Sequence, residues 1–154
     1  MIVASRLCRS AYAAFDGGGG LSRSGRWHEQ GRRIVYAAES EALAALEVLA
    51  HLSSFTQFPD YVCVKARIPE KLILDVRDFG SLPADWASPE PEHARRLGTL
   101  WIESKTSAVL RVPSVVIPRE SNFMINPEHP DFKSITVDLP LPFEFDVRLI
   151  HRLQ

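Results

Sequence analysis

The chain has 154 residues, of which 45% are hydrophobic and 24% charged, enough for one domain whose core needs no disulfide or metal. Its formal net charge of −1 excludes a strong general attraction to nucleic acid or acidic membranes. No apolar run is long enough to span a bilayer, and the arginines near the N-terminus do not fit a signal peptide. Cys8 and Cys63 form neither a metal motif nor a disulfide framework, so a cytoplasmic location is expected.

The first third of the chain predicts a strand, a helical turn, a flexible glycine loop and a second short strand. These fall at residues 2–9, 10–15, 17–20 and 33–37. A helix over 41–52 is then predicted, because Ser40 is a suitable N-cap and apolar residues recur at helical spacing. The apolar positions are Leu43, Leu46, Leu49 and Ala50.

The rest of the chain predicts mainly short strands. Residues 61–68 alternate, with Val62, Val64, Ala66 and Ile68 on one face of a strand. A proline- and acid-rich stretch, 82–92, is expected to be a surface connection, followed by a helix over 92–104. The other predicted strands lie at 72–76, 108–112, 114–117, 123–125 and 143–150. This order predicts a single α+β domain over 1–154.

The glycine-rich stretch is the first candidate for a ligand site. Residues 20–27 have the glycine spacing of a Walker A loop, but Arg26 and Trp27 stand where the Lys and the Ser or Thr are required. The magnesium ligand is therefore missing, and a phosphate-binding loop of this type is excluded. On composition alone, the four glycines predict a mobile surface loop.

Three single residues each allow a structural and a functional interpretation. The planar guanidinium of Arg26 is either a surface charge or a two-pronged donor to a phosphate or carboxylate. Tyr36 fits a core tyrosine with a satisfied hydroxyl as well as a ligand contact. Ser114 interrupts a hydrophobic run, but without a G-x-S-x-G elbow it gives no support to a hydrolase triad. The histidines lack metal-binding spacing, so no metal site is predicted.

Glu47 stands out because a carboxylate on an apolar helix costs several kcal/mol to bury unless it is paired or has a chemical role. Glu47 and His51 are the only polar residues of 42–52, one turn apart on one side of the helix. Such a pair is either a structural ion pair at the helix rim or an acid in a cleft whose partner tunes its charge. Spacing alone leaves both interpretations open.

Taken together, five ordered blocks of sequence resemble the RES-domain toxin family. They are GRW at 25–27 with Gly31, VY at 35–36, AALE at 44–47, RVPSVVIP at 111–118 and NFMINPEHP at 122–130. The family is named for an Arg, a Glu and a Ser, which match Arg26, Glu47 and Ser114. The main local departure from the family pattern is His28, at the position after the Trp, where an Asn is also common. The similarity covers nearly the whole chain.

The resemblance implies a fold similar to that of ADP-ribosyltransferases, with a mixed β core of short strands and a few flanking helices. It implies the toxin of a type II toxin–antitoxin system that acts on NAD as substrate without a metal. Family members deplete NAD by hydrolysis or phosphorolysis, or transfer ADP-ribose to a protein. The implied partner is an Xre-like helix-turn-helix antitoxin that occludes the active cleft in a hetero-oligomer. Binding of nucleic acid or membrane by this chain is not expected.

The resemblance also suggests a role for each residue. Glu47 would stabilise the positive charge that develops on the ribose as the nicotinamide bond breaks. Arg26 would neutralise the pyrophosphate, with the glycines acting as a hinge that presents it. Tyr36 would stack on nicotinamide, and Ser114 or Asn126 would hydrogen-bond the ribose or carboxamide. A second hypothesis is a non-catalytic module that binds NAD or an antitoxin.

Overall fold

The structure, a computed structural model, describes residues 1–52 and 60–151, so parts of the predicted domain at 53–59 and 152–154 lie outside the described residues. Eight strands are found there: β1 (Ile2–Arg9), β2 (Val35–Ala38), β3 (Tyr61–Ile68), β4 (Ile73–Asp75), β5 (Val109–Pro113), β6 (Ser121–Ile125), β7 (Thr136–Val137) and β8 (Leu141–Phe143). The helices are α1 (Gly19–Ser22), α2 (Glu41–His51), α3 (Val76–Phe79), α4 (Glu92–Ser104) and α5 (Val147–His151). Short 3-10 turns occur at Ser10–Tyr12, Glu70–Leu72 and Pro130–Ser134.

The strands form one mixed sheet with flanking helices, which confirms the predicted α+β class. Their order is β4-β5-β6-β2-β1-β3-β7, with β8 also paired to β3. Neighbouring strands are antiparallel except for the parallel pair of β4 and β5. No helix of the described residues is long and apolar enough to cross a membrane.

The elements with the clearest sequence patterns are confirmed. Strands β1 and β3 and helix α4 have the predicted bounds. Helix α2 begins where the Ser40 hydroxyl accepts a hydrogen bond from the backbone N–H of Leu43 at 3.0 Å, the interaction expected of an N-cap serine. The strands β2, β4, β5 and β6 lie within two residues of the predicted bounds.

Two predicted strands are wrong, and local hydrogen bonds explain both. Residues 114–117 form a bend, because the hydroxyl of Ser114 accepts the backbone N–H groups of Val116 and Ile117. These bonds replace a sheet ladder. The predicted strand at 143–150 instead contains the end of β8 and the start of α5. The Asp146 side chain accepts the N–H of Arg148 at 2.8 Å and favours the helical turn.

The glycine-rich stretch is more closely packed than a mobile surface loop. Gly17 and Gly20 are buried, and residues 19–22 form the short helix α1. A Cβ on Gly20 would lie 2.1 Å from the backbone oxygen of Arg32, so only glycine fits there. Close approach to the following segment therefore accounts for a glycine that composition alone assigned to a flexible loop.

The register of the sheet places the candidate site residues on one face. Tyr36 pairs with Met124, and Ala38 pairs with Asn122. Ala38 belongs to the same buried cluster as Leu43 and Ala44 of α2, so α2 covers this face. The other face carries a separate core cluster that includes Ala37, Val109 and Phe123. The fold thus brings the middle of α2 over the ends of β2 and β6.

Candidate active site

A cleft of about 820 Å³ lies on this face of the sheet. Its walls include strands β1 and β2, the segment from Arg23 to His28, helix α2 and the bend after β5. Arg26, Tyr36 and Glu47 all line it. Three of the residues selected from the sequence therefore lie around one cavity, between the Arg26 segment and the Glu47 helix.

The carboxylate of Glu47 is held by two side chains from distant parts of the sequence. Its Oε1 accepts a hydrogen bond from Ser114 Oγ at 2.6 Å and another from Asn122 Nδ2 at 2.8 Å. The described residues donate no hydrogen bond to Oε2. The two donors fix the orientation of the carboxylate through one of its oxygens.

His51 is not the partner of that carboxylate. Its Nδ1 lies 2.8 Å from the backbone oxygen of Glu47, one helical turn away, and its side chain is exposed. Of the two interpretations left open by the spacing, the Glu47–His51 ion pair is wrong. Glu47 is a half-buried acid in a cleft, paired to neutral donors.

Ser114 is fully buried and uses all its hydrogen-bonding capacity within the protein. Its single hydroxyl proton goes to Glu47, while its oxygen accepts the N–H groups of Val116 and Ile117 at 3.1 Å each. A serine hydroxyl has one proton and two lone pairs. Ser114 is thus placed to orient Glu47, and it has no proton left for a ribose or carboxamide.

The two asparagines of the last motif have different surroundings. Asn122 lines the cleft and contacts Glu47, although sequence reasoning gave it no role. Asn126 is buried beyond the end of β6, where its Oδ1 accepts the N–H of Glu128 at 3.0 Å, and it does not line the cleft. The alternation of β6 was the available signal, since Asn122 shares a face with Met124 and hence with Tyr36.

Arg26 is half-buried and clamps the proline- and acid-rich stretch. Its Nη1 donates to the backbone oxygens of Trp86 at 2.9 Å and Ser88 at 2.6 Å. The next residue, Trp27, is 2% exposed and packs in a core cluster with Trp101. The predicted surface connection at 82–92 therefore contacts the site, because its carbonyl groups hold the guanidinium of Arg26, which lines the cleft.

Tyr36 is held through its hydroxyl group. The backbone N–H of Trp27 donates to that oxygen at 3.3 Å, and His28 Nδ1 lies 2.7 Å from it. Burial raises the pKa of Tyr36, an effect that the Trp27 hydrogen bond and the charges of Arg95 and Arg26 oppose. The phenol therefore remains protonated, and the half-buried ring forms part of the cleft wall.

The net charge of the residues that line the cleft is opposite in sign to the net charge of the whole chain. Glu47 is the sole acidic residue among the described lining residues, whereas the lining contains four arginines. These are Arg6, Arg9, Arg23 and Arg26. The surplus of positive charge in a concave site favours an anionic ligand, although the chain as a whole carries −1.

Two other kinds of chemistry have little support in the described residues. Cys8 also lines the cleft, but burial raises the pKa of its thiol, an effect that the Arg6 charge opposes. A protonated thiol is a poor nucleophile. No group of three or more His, Cys, Asp or Glu side chains in the described ranges is placed to hold a metal ion.

Comparison with known proteins places this chain in a family. The chain is 40% identical over 149 residues to "Toxin Res" of Photorhabdus laumondii, covering 94% of this chain and 95% of that protein. It is 38% identical over 146 residues to "Prs ADP-ribosylating toxin" of a Sphingobium species, covering 92% and 91%. It is also 33% identical to "Toxin Res" of Yersinia enterocolitica, covering 96% of each chain.

A solved structure confirms the fold. The chain superposes on a chain of the crystal structure of the M. tuberculosis MbcT–MbcA toxin–antitoxin complex with a TM-score of 0.78 and 14% identity, covering 99% of this chain and 88% of that one. This likeness confirms the expected α+β fold. The model of the RES domain matches residues 3–146, which include Arg26, Glu47 and Ser114. The chain therefore belongs to the RES-domain family, as its sequence motifs indicated.

Proposed function

We propose that this protein is the toxin of a toxin–antitoxin system and an enzyme that cleaves the nicotinamide–ribose bond of NAD. The observation that carries the proposal is the Glu47 carboxylate, oriented by Ser114 and Asn122 in a cleft that is otherwise positively charged. Similarity to proteins named "Toxin Res" supports the toxin part. Similarity to a "Prs ADP-ribosylating toxin" supports the NAD chemistry.

Glu47 acts on the charge that forms during the reaction. As the glycosidic bond of NAD breaks, the ribose gains oxocarbenium character. The oxygen of Glu47 that receives no hydrogen bond from the described residues stabilises this cation more strongly than the ground state, which lowers the barrier. Nicotinamide leaves as a neutral base, so the reaction needs no second carboxylic acid as proton donor.

The remaining cleft residues bind the rest of NAD. Arg26 binds the loop carbonyls through its Nη1, and its other donors serve the pyrophosphate. Arg6, Arg9 and Arg23 add to the same positive potential. Tyr36 offers its ring to nicotinamide. Ser114 and Asn122 hold Glu47 in place.

The acceptor of ADP-ribose defines the alternative reaction. Water or phosphate as acceptor would deplete NAD, whereas a protein acceptor would make the enzyme an ADP-ribosyltransferase. The relative named for ADP-ribosylation of Prs favours keeping this second reaction. Both begin with the same bond cleavage and the same role of Glu47.

The partner proposed is an Xre-like antitoxin in the cytoplasm that occludes the cleft. Support comes from the structural neighbour, which was solved as a toxin–antitoxin complex. An occluding antitoxin would cover the arginine-lined mouth, so acidic side chains are expected where it enters. DNA binding by the complex would come from the partner.

The deciding experiment identifies the products formed from NAD. Purified protein is incubated with NAD, with and without phosphate, and nicotinamide and ADP-ribose products are separated by chromatography. We expect nicotinamide release that Glu47→Gln abolishes and that the matched surface change Glu92→Gln leaves intact. A folded wild-type protein that releases no nicotinamide, either alone or with candidate protein acceptors, would refute the enzymatic proposal.

A further inference from the structure

His28 is a buried histidine with both ring nitrogens engaged beside the cleft. It is 4% exposed. Its Nε2 lies 2.8 Å from the backbone oxygen of Arg23, and its Nδ1 lies 2.7 Å from the Tyr36 hydroxyl. Sequence reasoning gave this residue little weight, yet it connects the segment before Arg26 to the ring on the cleft wall.

The partners of His28 determine where its proton resides. A carbonyl oxygen can only accept, so Nε2 carries the hydrogen that points to Arg23. In the neutral ring Nδ1 is then an acceptor, and the Tyr36 hydroxyl donates to it. Burial lowers the pKa of His28, the Arg95 charge acts in the same direction, and the Arg23 carbonyl opposes them. The geometry and the direction of this shift agree on a neutral Nε2–H tautomer.

The surrounding segment leaves the two rings little freedom. A Cβ on Gly25 would lie 2.8 Å from both the His28 ring and the Tyr36 oxygen, so a side chain at that position would collide with them. The backbone oxygen of Gly25 accepts from Arg95 Nε at 2.9 Å. The charged groups that face His28 and Tyr36 are Arg95 of α4 and Arg26.

We propose that His28 is a positioning residue of the active site: it accepts a hydrogen bond from the Tyr36 hydroxyl, is fixed by the Arg23 carbonyl, and so holds the tyrosine ring against the nicotinamide end of the substrate. This inference rests on the proposed function, because it gives Tyr36 a substrate to face. His28 touches no reacting atom. It also sets the direction of the tyrosine proton, which points inward to His28 rather than into the cleft.

The proposal predicts which substitutions at position 28 are tolerated. In His28→Asn, the amide oxygen can replace Nδ1 as acceptor, because it lies at the same distance along the side chain. His28→Leu fills similar space without an acceptor. We expect His28→Leu to lower kcat/KM for NAD roughly 10- to 100-fold, the effect of a small misplacement of a site group, and His28→Asn to recover most of that loss.

A double-mutant cycle tests whether His28 acts through Tyr36. If it does, His28→Leu costs much less in a Tyr36→Phe protein than in the wild type. His129→Leu is the matched control, since His129 is also buried, has both ring nitrogens engaged and lies away from the cleft. It should lower thermal stability without a comparable fall in kcat/KM. Equal costs of His28→Leu in both backgrounds, or no recovery by Asn, would overturn the proposal.

A spectroscopic measurement separates this inference from the proposed reaction. In protein labelled with nitrogen-15 at histidine, we expect His28 to show the Nε2–H tautomer, and its Nδ1 signal to move in Tyr36→Phe. An Nδ1–H tautomer would refute the inference even in an active enzyme.

If wild-type protein releases no nicotinamide, the proposed function fails. The double-mutant cycle of positions 28 and 36 is then measured on the affinity for NAD by calorimetry. Coupling between positions 28 and 36 in that affinity supports the inference, and its absence overturns it.

Discussion

The hydroxyl oxygen of Ser114 lies 2.6 Å from Oε1 of Glu47, although 67 residues separate them in the chain. The serine hydroxyl donates a hydrogen bond to the carboxylate and accepts hydrogen bonds from two backbone N–H groups of the bend that follows it. A strand, a bend and a helix therefore meet at one carboxylate oxygen. This contact underlies the role that we propose for Ser114, the support of Glu47.

Replacing Ser114 by alanine tests that support. Ser114→Ala removes a donor to Glu47 and leaves the N–H groups of Val116 and Ile117 without their acceptor. We expect a fall in kcat with little change in KM, because the orientation of Glu47 matters most in the transition state. The free energy of unfolding should fall by about 1–3 kcal/mol. Nicotinamide release and urea denaturation measure the two effects, and unchanged kcat in a folded variant would contradict the support role.

Asn122 and Asn126 offer a matched pair of isosteric changes. Asn122→Asp replaces a donor by a second carboxylate 2.8 Å from Glu47, and like charges at that distance disfavour ionisation of both groups. We expect a strong loss of nicotinamide release. The activity that remains should fall further as the pH falls, because protonation removes the charge of Glu47. Asn126→Asp keeps the oxygen that accepts from Glu128, so its activity should stay near that of the wild type. Greater sensitivity at 126 than at 122 would show that the sequence-based candidate was the better one.

The exposed arginines Arg9 and Arg23 should contribute to substrate binding. Both line the cleft, and neither has a side-chain partner among the described residues. Arg9→Gln with Arg23→Gln is expected to raise KM for NAD by about tenfold, equivalent to about 1.4 kcal/mol, with kcat little changed. Arg96→Gln, an exposed arginine of α4 outside the cleft, serves as control. An equal effect of all three changes would point to general charge rather than to the cleft.

Protonation of His28 should reduce stability in acid. Its pKa in the folded protein lies below the ordinary value of 6.5, chiefly because it is buried, so below that pH the unfolded chain binds a proton that the folded chain does not. The stabilisation is therefore complete above pH 6.5 and is lost as the pH falls toward the folded pKa, with a slope of at most about 1.4 kcal/mol per pH unit. Urea denaturation of wild type and His28→Asn over this range should show a shallower decline in the variant. Parallel curves would assign the acid sensitivity to other groups.

Local patterns predicted the fold where the determining contacts are local. Ser40 caps the helix that follows it, and the alternation of residues 61–68 describes β3, because these signals lie within a few residues of the elements they specify. Residues 114–117 have the composition of a strand. They form a bend because the hydroxyl oxygen of Ser114 accepts hydrogen bonds from two backbone N–H groups just after it. The prediction failed there because side-chain hydrogen bonding competes with β propensity.

The site was predictable in part, for a similar reason. Arg26, Tyr36 and Glu47 were found through motifs near one another in sequence, and they line one cleft. Asn122 was missed because its partner is 75 residues away. The carbonyl groups that hold Arg26 were missed as well, since every residue has a backbone oxygen and only the fold selects those of Trp86 and Ser88.

The orientation of Glu47 has a consequence for synthesis of the chain on the ribosome. Glu47 is translated early. The two side chains that donate to its Oε1 come from the last third of the sequence: Ser114 lies in the bend after β5, and Asn122 lies in β6. A nascent chain that ends before Ser114 carries the acid without either group that aligns it, and one that ends before β6 still lacks Asn122. The proposed harmful activity therefore requires that most of the domain has been translated and has folded.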